Sequence, residues 1–333
     1  MEKFKSLVVE QINQSFKKRI KETKIVNLEK NEVLIKIDYS SLNYKDYLVC
    51  NGKFWDCRKY PIVPGIDASG KILKSKSKKL KIGDVVSIIA SPAGSKISGG
   101  FAEYIKINEN WVDKLPANIN PKKAMILGTA GFSAMHIANI ILKKNVSNCK
   151  RVAISGSSGG VGSILINTLS KFGFEITAYS SSKKNYKLLR KIGAKNVKNI
   201  NQIENVSLSL QKKEYDYVID NVGGNFLSYA LKKINNNGTL FSIGFTNANE
   251  ISNINLTPFV LRSIKLEGIH TESLKKKQRI EVWKFISKFF KTQKISSLVY
   301  KEVKFSNIIR EIKNFNKSKF GRKIININLK KLI

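Results

Sequence analysis

A glycine-rich turn between a predicted strand and a predicted helix constrains the fold of this chain more than any other feature. Residues 155–162 read Ser-Gly-Ser-Ser-Gly-Gly-Val-Gly, between the apolar strand Arg151–Ser155 and the helical pattern Gly159–Gly173. In a dinucleotide-binding turn, spaced glycines permit a tight turn, let backbone N–H groups approach a pyrophosphate at the helix N-terminus, and let helix and strand pack closely. The motif predicts such a site, although a glycine-rich turn without a ligand is the alternative.

The end of the next predicted strand, Glu175–Ser180, indicates which dinucleotide is bound. The stretch Tyr179–Lys184 reads Tyr-Ser-Ser-Ser-Lys-Lys and contains no acidic residue. An NAD site usually has an acidic residue here, to bind the ribose 2′-hydroxyl. Hydroxyl and ammonium groups suit a 2′-phosphate, so the stretch predicts NADPH. Alternatively, the lysines only cap or solvate the start of a helix.

Two kinds of periodicity divide the chain. The first third has alternating apolar stretches such as Val33–Tyr39, separated by glycine and proline turns, which favours a barrel-like β domain. After about Pro121, strands such as Tyr215–Asp220 alternate with helical patterns such as Phe226–Ile234, which predicts an α/β fold with a doubly wound parallel sheet. The C-terminal alternation Lys323–Leu329 predicts a strand that returns to the first domain.

The charge of the chain is high, but its distribution is diffuse. Lys and Arg number 60 against 24 Asp and Glu, which gives a formal net charge of +36 over 333 residues. Because the basic residues are scattered and not gathered into one arm with interleaved aromatics, we expect no nucleic-acid partner and interpret the charge as compositional drift. Alternatively, the positive field attracts an anionic substrate.

The sequence also bears on location. The first 15 residues carry charges through their apolar stretch, unlike a signal peptide. The sparse cysteines, Cys50, Cys57 and Cys149, fit a reducing compartment. The uncharged stretch Ala124–Leu142 is long enough to span a bilayer, but its Gly, Thr, Ser and Asn residues favour a buried core helix. We therefore expect a cytoplasmic protein with no membrane partner.

Metal-ligand residues are scarce. The only histidines are His136 and His270, and neither belongs to a Cys/His cluster with ligand spacing. We therefore expect no catalytic metal. Hydride transfer is a reaction that needs none, because a nicotinamide cofactor itself carries the difficult chemistry.

Several further segments accompany the glycine turn. They are Ser40–Asp46 (Ser-Ser-Leu-Asn-Tyr-Lys-Asp), Pro61–Gly70, Gly99–Tyr104, Asp220–Gly224, Pro258–Arg262 and Gly321-Arg322. With these segments the chain resembles the medium-chain dehydrogenase/reductase superfamily over nearly its whole length. Within it, Ser40–Asp46 and Met125–Ala134 resemble the quinone-oxidoreductase-like branch that contains acrylyl-CoA reductase.

The resemblance implies a domain organisation. A GroES-like β-barrel catalytic domain, residues 1–123 and 271–333, is interrupted by a Rossmann NADPH-binding domain, residues 124–270. It also implies a homodimer. In zinc-containing relatives, metal ligands occupy the positions of Asn43 and Ile66, whose side chains cannot replace a thiolate or an imidazole.

The resemblance further implies roles for individual residues. It places Tyr44 beside the nicotinamide and Arg322 near the cofactor. The pyrophosphate is expected to be cradled by Ser158, Gly159, Gly160 and Val161. The 2′-phosphate is expected to meet Ser180, Ser181 and Ser182, and because close relatives have Arg where this chain has Ser182, Lys183 or Lys184 is expected to supply the charge.

The implied function is the NADPH-dependent reduction of the carbon–carbon double bond of an α,β-unsaturated acyl-CoA, with acrylyl-CoA reduced to propionyl-CoA. Tyr44 or solvent is expected to protonate the α-carbon, although Tyr44 is alternatively an aromatic residue that packs the cleft wall. The rival hypotheses are an NADPH quinone or general enone reductase, a nucleic-acid-binding protein, and a catalytically idle NADPH-binding scaffold.

Overall fold

The computed structural model describes residues 3–24, 27–57, 59–144, 150–203, 208–246, 254–315 and 320–327, so Cys149 and Leu329 lie outside the described residues. Its strands are β1 Lys3–Ile12, β2 Ser15–Lys24, β3 Glu32–Leu42, β4 Ala68–Ser75, β5 Val85–Ile88, β6 Tyr104–Asn108, β7 Asp113–Lys114, β8 Arg151–Ile154, β9 Glu175–Ser180, β10 Asn196–Asn199, β11 Tyr215–Asp220, β12 Ile234–Ser242, β13 Lys265–Gly268, β14 Tyr300–Lys304 and β15 Arg322–Asn326. Its α-helices are α1 Tyr44–Cys50, α2 Pro121–Lys143, α3 Gly160–Ser170, α4 Tyr186–Lys191, α5 Asn225–Leu231, α6 Thr257–Arg262, α7 Lys276–Thr292 and α8 Ile308–Lys313.

The chain divides into two compact units. Unit 1 comprises Met1–Phe132, Thr271–Ile295 and Val299–Ile333, and unit 2 comprises Ser133–His270 and Ser296–Leu298. The divisions predicted from the resemblance lie after residues 123 and 270.

Unit 1 is built on a seven-stranded sheet with the order β14-β15-β3-β4-β5-β7, in which β6 also pairs with β3. The alternating residues Val33, Ile35 and Ile37 of β3 are buried in its core, as a strand with one core-facing side requires. The C-terminal strand β15 pairs antiparallel with β3. The predicted barrel-like β domain is confirmed.

A buried ion pair fastens the long helix α7 to the barrel of unit 1. Arg279 contacts Asp113 through both its Nε and its Nη2, and also donates to the carbonyl oxygens of Ile89 and Ala90. Trp283 on the same helix donates its indole N–H to Asp113 at 3.1 Å. Because these charges are paired and hydrogen-bonded, their burial is tolerable.

Unit 2 is a six-stranded sheet with the order β10-β9-β8-β11-β12-β13, in which all neighbouring strands run parallel. The chain runs outward from β8 to β10 on one side, then returns to β11 on the other side of β8. The strand order therefore reverses between β8 and β11, which is where α/β sheets of this kind bind ligands. The predicted Rossmann sheet is confirmed.

Helix α2 carries the long apolar stretch noted in the sequence. By length and composition alone it is able to cross a membrane, but 67% of its apolar window is buried within the chain. Gly128 interrupts it with non-helical angles, φ 56° and ψ −163°. The burial supports its interpretation as a core helix.

Candidate functional site

The glycine turn in unit 2 has a geometry that brings backbone groups to the start of α3. Gly156 has a positive φ of 55°, and Gly159 is the N-cap residue of α3. A Cβ on Gly162 would lie 2.7 Å from the carbonyl oxygen of Gly156, so only glycine lets the helix pack this closely on the turn. Ser158, Gly159, Gly160 and Val161 are all partly exposed. Since first-turn N–H groups have no acceptor inside their own helix, this turn can receive an anion.

A buried aspartate braces the turn from the neighbouring strand. Asp220, at the end of β11, accepts a hydrogen bond from the Ser155 hydroxyl at 2.6 Å and others from the N–H groups of Val222 and Gly223. Asn221 donates its side-chain amide to the Ser155 carbonyl at 2.7 Å. Burial raises the pKa of Asp220, and these donors oppose the rise. The contacts give Asp220 and Asn221 a structural role at the edge between β8 and β11.

The residues predicted to meet a 2′-phosphate follow β9 at the same carboxyl edge of the sheet, because β9 lies beside β8 in parallel. Ser180 is buried, Ser182 is partly buried, and Ser181 and Lys183 are exposed. Lys183 lines a cavity of about 440 Å³ together with Tyr186, Lys198 and Asn199. Ser180, Ser181 and Ser182 are not among the residues that line this cavity, so their contact with a 2′-phosphate stays a prediction.

Tyr44 lies in unit 1, at the first position of α1. Its side chain is 38% exposed, and its ring stacks on Tyr47 with ring centroids 6.2 Å apart and contacts Phe315. The Tyr44 ring therefore packs against two aromatic neighbours while part of it stays exposed, and both its catalytic role and its role in packing the cleft wall stay predictions. The backbone N–H of Asn43, just before it, donates to Asp46 at 2.8 Å and caps the helix.

A buried polar network centred on Asp67 lies beside the start of α1 and includes Asn43, one of the two positions that the family resemblance associates with metal ligands. The carboxylate of Asp67 accepts hydrogen bonds from the Asn43 amide at 2.8 Å, the Ser41 hydroxyl at 2.5 Å, and the backbone N–H and hydroxyl of Thr129. Gly128 is required beside this carboxylate, because a Cβ there would clash with Asp67, Ser41 and Arg322.

Arg322 belongs to the same network. Its side chain is 4% exposed, and its Nη2 lies 3.5 Å from Asp67. It donates to the Asn43 side-chain oxygen at 2.8 Å and to the Ser41 hydroxyl at 2.7 Å. Arg322 was predicted to lie near the cofactor, and that role stays a prediction. The structure directs its guanidinium into unit 1, where it holds the residues that support Tyr44.

Asp46 is the second buried carboxyl of this region. Besides Asn43, it accepts the backbone N–H of Ile66 at 2.9 Å. Burial and the charge of Asp67 raise the pKa of Asp46 to about 7, although its N–H donors lower it.

The two side chains that the family resemblance associates with metal ligands, Asn43 and Ile66, make other contacts in this chain. The Asn43 amide is committed to Asp67 and Arg322, and Ile66 is a buried hydrophobic residue. Within the described ranges, no three or more His, Cys, Asp or Glu side chains form a group that could hold a metal ion.

Comparisons with known proteins show which family the chain belongs to. Residues 29–117 match the family described as alcohol dehydrogenase GroES-like domain, and residues 160–288 match the family described as zinc-binding dehydrogenase. The Bacillus subtilis protein YhfP, whose name places it among the quinone oxidoreductases, is 30% identical over 324 residues, which are 97% of this chain and 98% of that protein. The chain belongs to the medium-chain dehydrogenase/reductase superfamily.

Other members of the superfamily match over similar lengths. Acrylyl-CoA reductase AcuI of Ruegeria pomeroyi is 28% identical over 301 residues, 89% of this chain and 91% of that protein. The crystal structure of the yhdH oxidoreductase from Salmonella enterica in complex with NADP has a TM-score of 0.91 at 27% identity, over 97% of this chain and all of that one. The structure of yhfP with NAD bound also has a TM-score of 0.91, at 29% identity over 98% of this chain and 100% of that chain.

The predicted family and its quinone-oxidoreductase-like branch are thus confirmed, and the protein is an oxidoreductase of this superfamily. Ser41, Asp67 and Thr129 lie within the motifs that carry the resemblance, but their association was not predicted. Their sole sequence signal was polar residues in otherwise apolar segments, which does not reveal that the three segments meet.

Proposed function

We propose that this enzyme uses NADPH to reduce the carbon–carbon double bond of an α,β-unsaturated acyl-CoA, with acrylyl-CoA as its substrate and propionyl-CoA as its product. The carrying observation is the Asn43–Asp67–Arg322 network. Asn43, at a position that the family resemblance associates with a metal ligand, is bonded to Asp67 and Arg322. The proposed reaction therefore does not use a metal held by these side chains. A conjugated double bond suits such a site, because the thioester carbonyl itself spreads the charge that develops after hydride addition. The match to acrylyl-CoA reductase supports the acyl-CoA.

NADPH fits the residues of unit 2. The glycine turn leaves no room for a Cβ at Gly162, and Ser158, Gly159, Gly160 and Val161 present the start of α3 to a pyrophosphate. Ser180, Ser181, Ser182 and Lys183 would hold the 2′-phosphate. The chemistry that NADPH supplies when bound is a hydride from its nicotinamide ring.

Tyr44 is the residue we propose to act on the substrate. Its phenol Oη would donate a proton to the α-carbon, or a hydrogen bond to the thioester oxygen as negative charge develops there. Capping by Asp46 and the network behind Asn43 would fix its position. The role of Arg322 would be to position α1.

A quinone or general enone reductase is the second candidate, because YhfP carries a quinone oxidoreductase name. NADPH oxidation, measured as the loss of nicotinamide absorbance, distinguishes the two candidates. The substrates to compare are acrylyl-CoA, crotonyl-CoA and a simple quinone. We expect saturable oxidation with acrylyl-CoA and little with the quinone. Turnover with quinone alone would favour the second candidate, and NADPH binding without any turnover would favour the idle scaffold.

We also propose a cytoplasmic location and a homodimer. Cys50 and Cys57 are buried free thiols, which suits a reducing compartment. The edge strand β13 and the neighbouring helix α6 of unit 2 carry the exposed apolar residues Val260, Leu261 and Leu266. A second copy of the chain would cover this edge.

A further inference from the structure

An exposed tryptophan stands on the loop that follows α1 in unit 1. The side chain of Trp55 is 74% exposed, although tryptophan is largely buried on average in folded proteins. Binding residues are disproportionately found on loops that a rigid scaffold positions. An exposed indole on such a loop is therefore a candidate for ligand binding.

The indole is held in place and is not a loose loop tip. Phe54, directly beside it, packs against the hydrophobic core of unit 1, and the centroids of the two rings are 5.9 Å apart. Asp56, on its other side, forms a 2.8 Å ion pair with Lys96. Because its neighbours on both sides are anchored, Trp55 presents a preorganised aromatic face, which lowers the entropy cost of binding.

Three lysines, Lys45, Lys53 and Lys96, belong to this region, and Lys45 and Lys96 form ion pairs. The Nζ of Lys45 lies 4.8 Å from the centroid of the Phe54 ring and 3.5 Å from Glu272. Lys53 is exposed one residue before Phe54, and Lys96 is paired with Asp56, the residue after Trp55. An aromatic surface with ammonium groups around it matches a purine base that carries phosphates, since bases stack on aromatic rings and phosphates pair with cations.

The position of this aromatic face suits the far end of a long substrate. Lys45 follows Tyr44 directly in the chain, its ammonium lies over the Phe54 ring, and the Phe54 ring contacts Trp55. In an acyl-CoA the adenine and its 3′-phosphate lie at the opposite end of the pantetheine arm from the reacting carbons. A nucleotide site displaced from Tyr44 is therefore what such a substrate requires.

We propose that Trp55 stacks on the adenine of coenzyme A, and that Lys53 and Lys96 attract its phosphates. The proposal rests on the proposed function in taking the substrate to be an acyl-CoA. It adds a nucleotide subsite built from residues that bind neither NADPH nor the reacting carbons.

The direct test is binding of free coenzyme A to enzyme saturated with NADP⁺, so that the cofactor site is already filled. The chain has three tryptophans, Trp55, Trp111 and Trp283, and Trp283 is buried. We expect coenzyme A to quench the fluorescence of Trp55, and the Kd measured by calorimetry to rise at least about fivefold in Trp55→Ala. Equal Kd values in the two proteins, or no binding to either, would overturn the proposal.

Kinetics provide the second test. Trp55→Ala is expected to raise KM for acrylyl-CoA at least about fivefold with kcat unchanged, and to leave KM for acrylyl-pantetheine unchanged because it lacks the nucleotide. Trp55→Phe should recover most of the loss. Ile82→Ala is the matched control, because Ile82 is 69% exposed in the same unit and should change neither substrate's KM.

The outcomes separate this subsite from the proposed function. If the wild-type enzyme does not turn over acrylyl-CoA, the proposed function fails, and the coenzyme A titration still decides the subsite. If the enzyme turns over acrylyl-CoA but Trp55→Ala leaves KM for acrylyl-CoA unchanged, the subsite is wrong and the proposed function stands. The same conclusion follows if Trp55→Ala changes KM for acrylyl-CoA and for acrylyl-pantetheine equally. An exposed tryptophan that serves a protein or membrane partner would give the second result.

Discussion

A chain of buried hydrogen bonds that begins at Asp67 fixes Asn43, the residue directly before Tyr44. Asp67 and Arg322 both bond the Asn43 side chain, and the Asn43 backbone is capped by Asp46. At the scale of residues, the chemistry therefore depends on groups that need not touch a substrate. Substitutions of Tyr44, Asp67 and Asp46 are expected to differ in their effects, because only Tyr44 would act on the substrate.

Tyr44→Phe removes the phenol hydroxyl and keeps the ring stack. We expect kcat with acrylyl-CoA to fall by about 10²-fold, the lower range for a lost general acid, while the Kd for NADPH stays unchanged. The matched control is Tyr47→Phe, whose ring lies in the same stack; it should keep its kcat. Full activity in Tyr44→Phe would show that solvent delivers the proton.

Asp67→Asn leaves the Arg322 guanidinium buried without its charge partner. Breaking a buried pair in this way costs about 3–5 kcal/mol of unfolding free energy. By contrast, Lys195→Ala removes a surface pair with Glu175, whose side chains are 59% and 51% exposed, and should cost less than about 1 kcal/mol. Urea unfolding of both variants tests this contrast, and similar losses would contradict it.

The buried Asp46 predicts a specific pH dependence. Its folded pKa is raised to about 7, above an unfolded value of about 3.9, so the folded state binds the proton more tightly. The stability that Asp46 contributes is therefore fully present below about pH 4 and is lost as the pH rises to about 7. The Asp46→Asn variant should lose more unfolding free energy at low pH than above pH ~7. A difference from wild type that is constant with pH, in denaturant titrations, would refute this.

At the scale of elements, the outermost strand of the Rossmann sheet predicts the assembly. Strand β13 pairs with β12 on one side, and Val260 on the adjoining α6 is 75% exposed. Exposed apolar edges of this kind mark association sites. We expect Val260→Asp to convert a dimer to a monomer in sedimentation experiments, whereas Ile82→Asp, at an equally exposed site in unit 1, should stay dimeric. A monomeric wild-type protein would refute the dimer.

At the scale of the whole molecule, the net charge of +36 creates a field that favours anions. If the substrate is an acyl-CoA, kcat/KM should fall as ionic strength rises, because the Debye length shrinks from about 30 Å at 0.01 M to about 8 Å at 0.15 M salt. An uncharged enone should show no such fall. If kcat/KM depends equally on salt for both substrates, the net charge does not attract the substrate, and its interpretation as compositional drift stands.

The sequence by itself determined the Rossmann unit and much of its proposed cofactor site. Strands β9 and β11 have the bounds predicted from the sequence, Glu175–Ser180 and Tyr215–Asp220, because a buried parallel strand is a short, largely apolar run. The glycine turn was also predicted in its place, since its requirement for small residues is local. By contrast, the exposed strand β2 was not predicted, because its residues Ser15–Lys24 are mostly polar and only its pairing with β1 makes it a strand.

Only the tertiary structure decided what supports Tyr44 and where Trp55 stands. Ser41, Asp67, Thr129 and Arg322 come from four separated segments and are joined by hydrogen bonds that no local pattern encodes. The exposure of Trp55 likewise depends on whether its neighbours are anchored by distant residues such as Lys96. Local sequence sets backbone preferences and burial periodicity, whereas a polar network forms only when distant segments of the chain have been brought together.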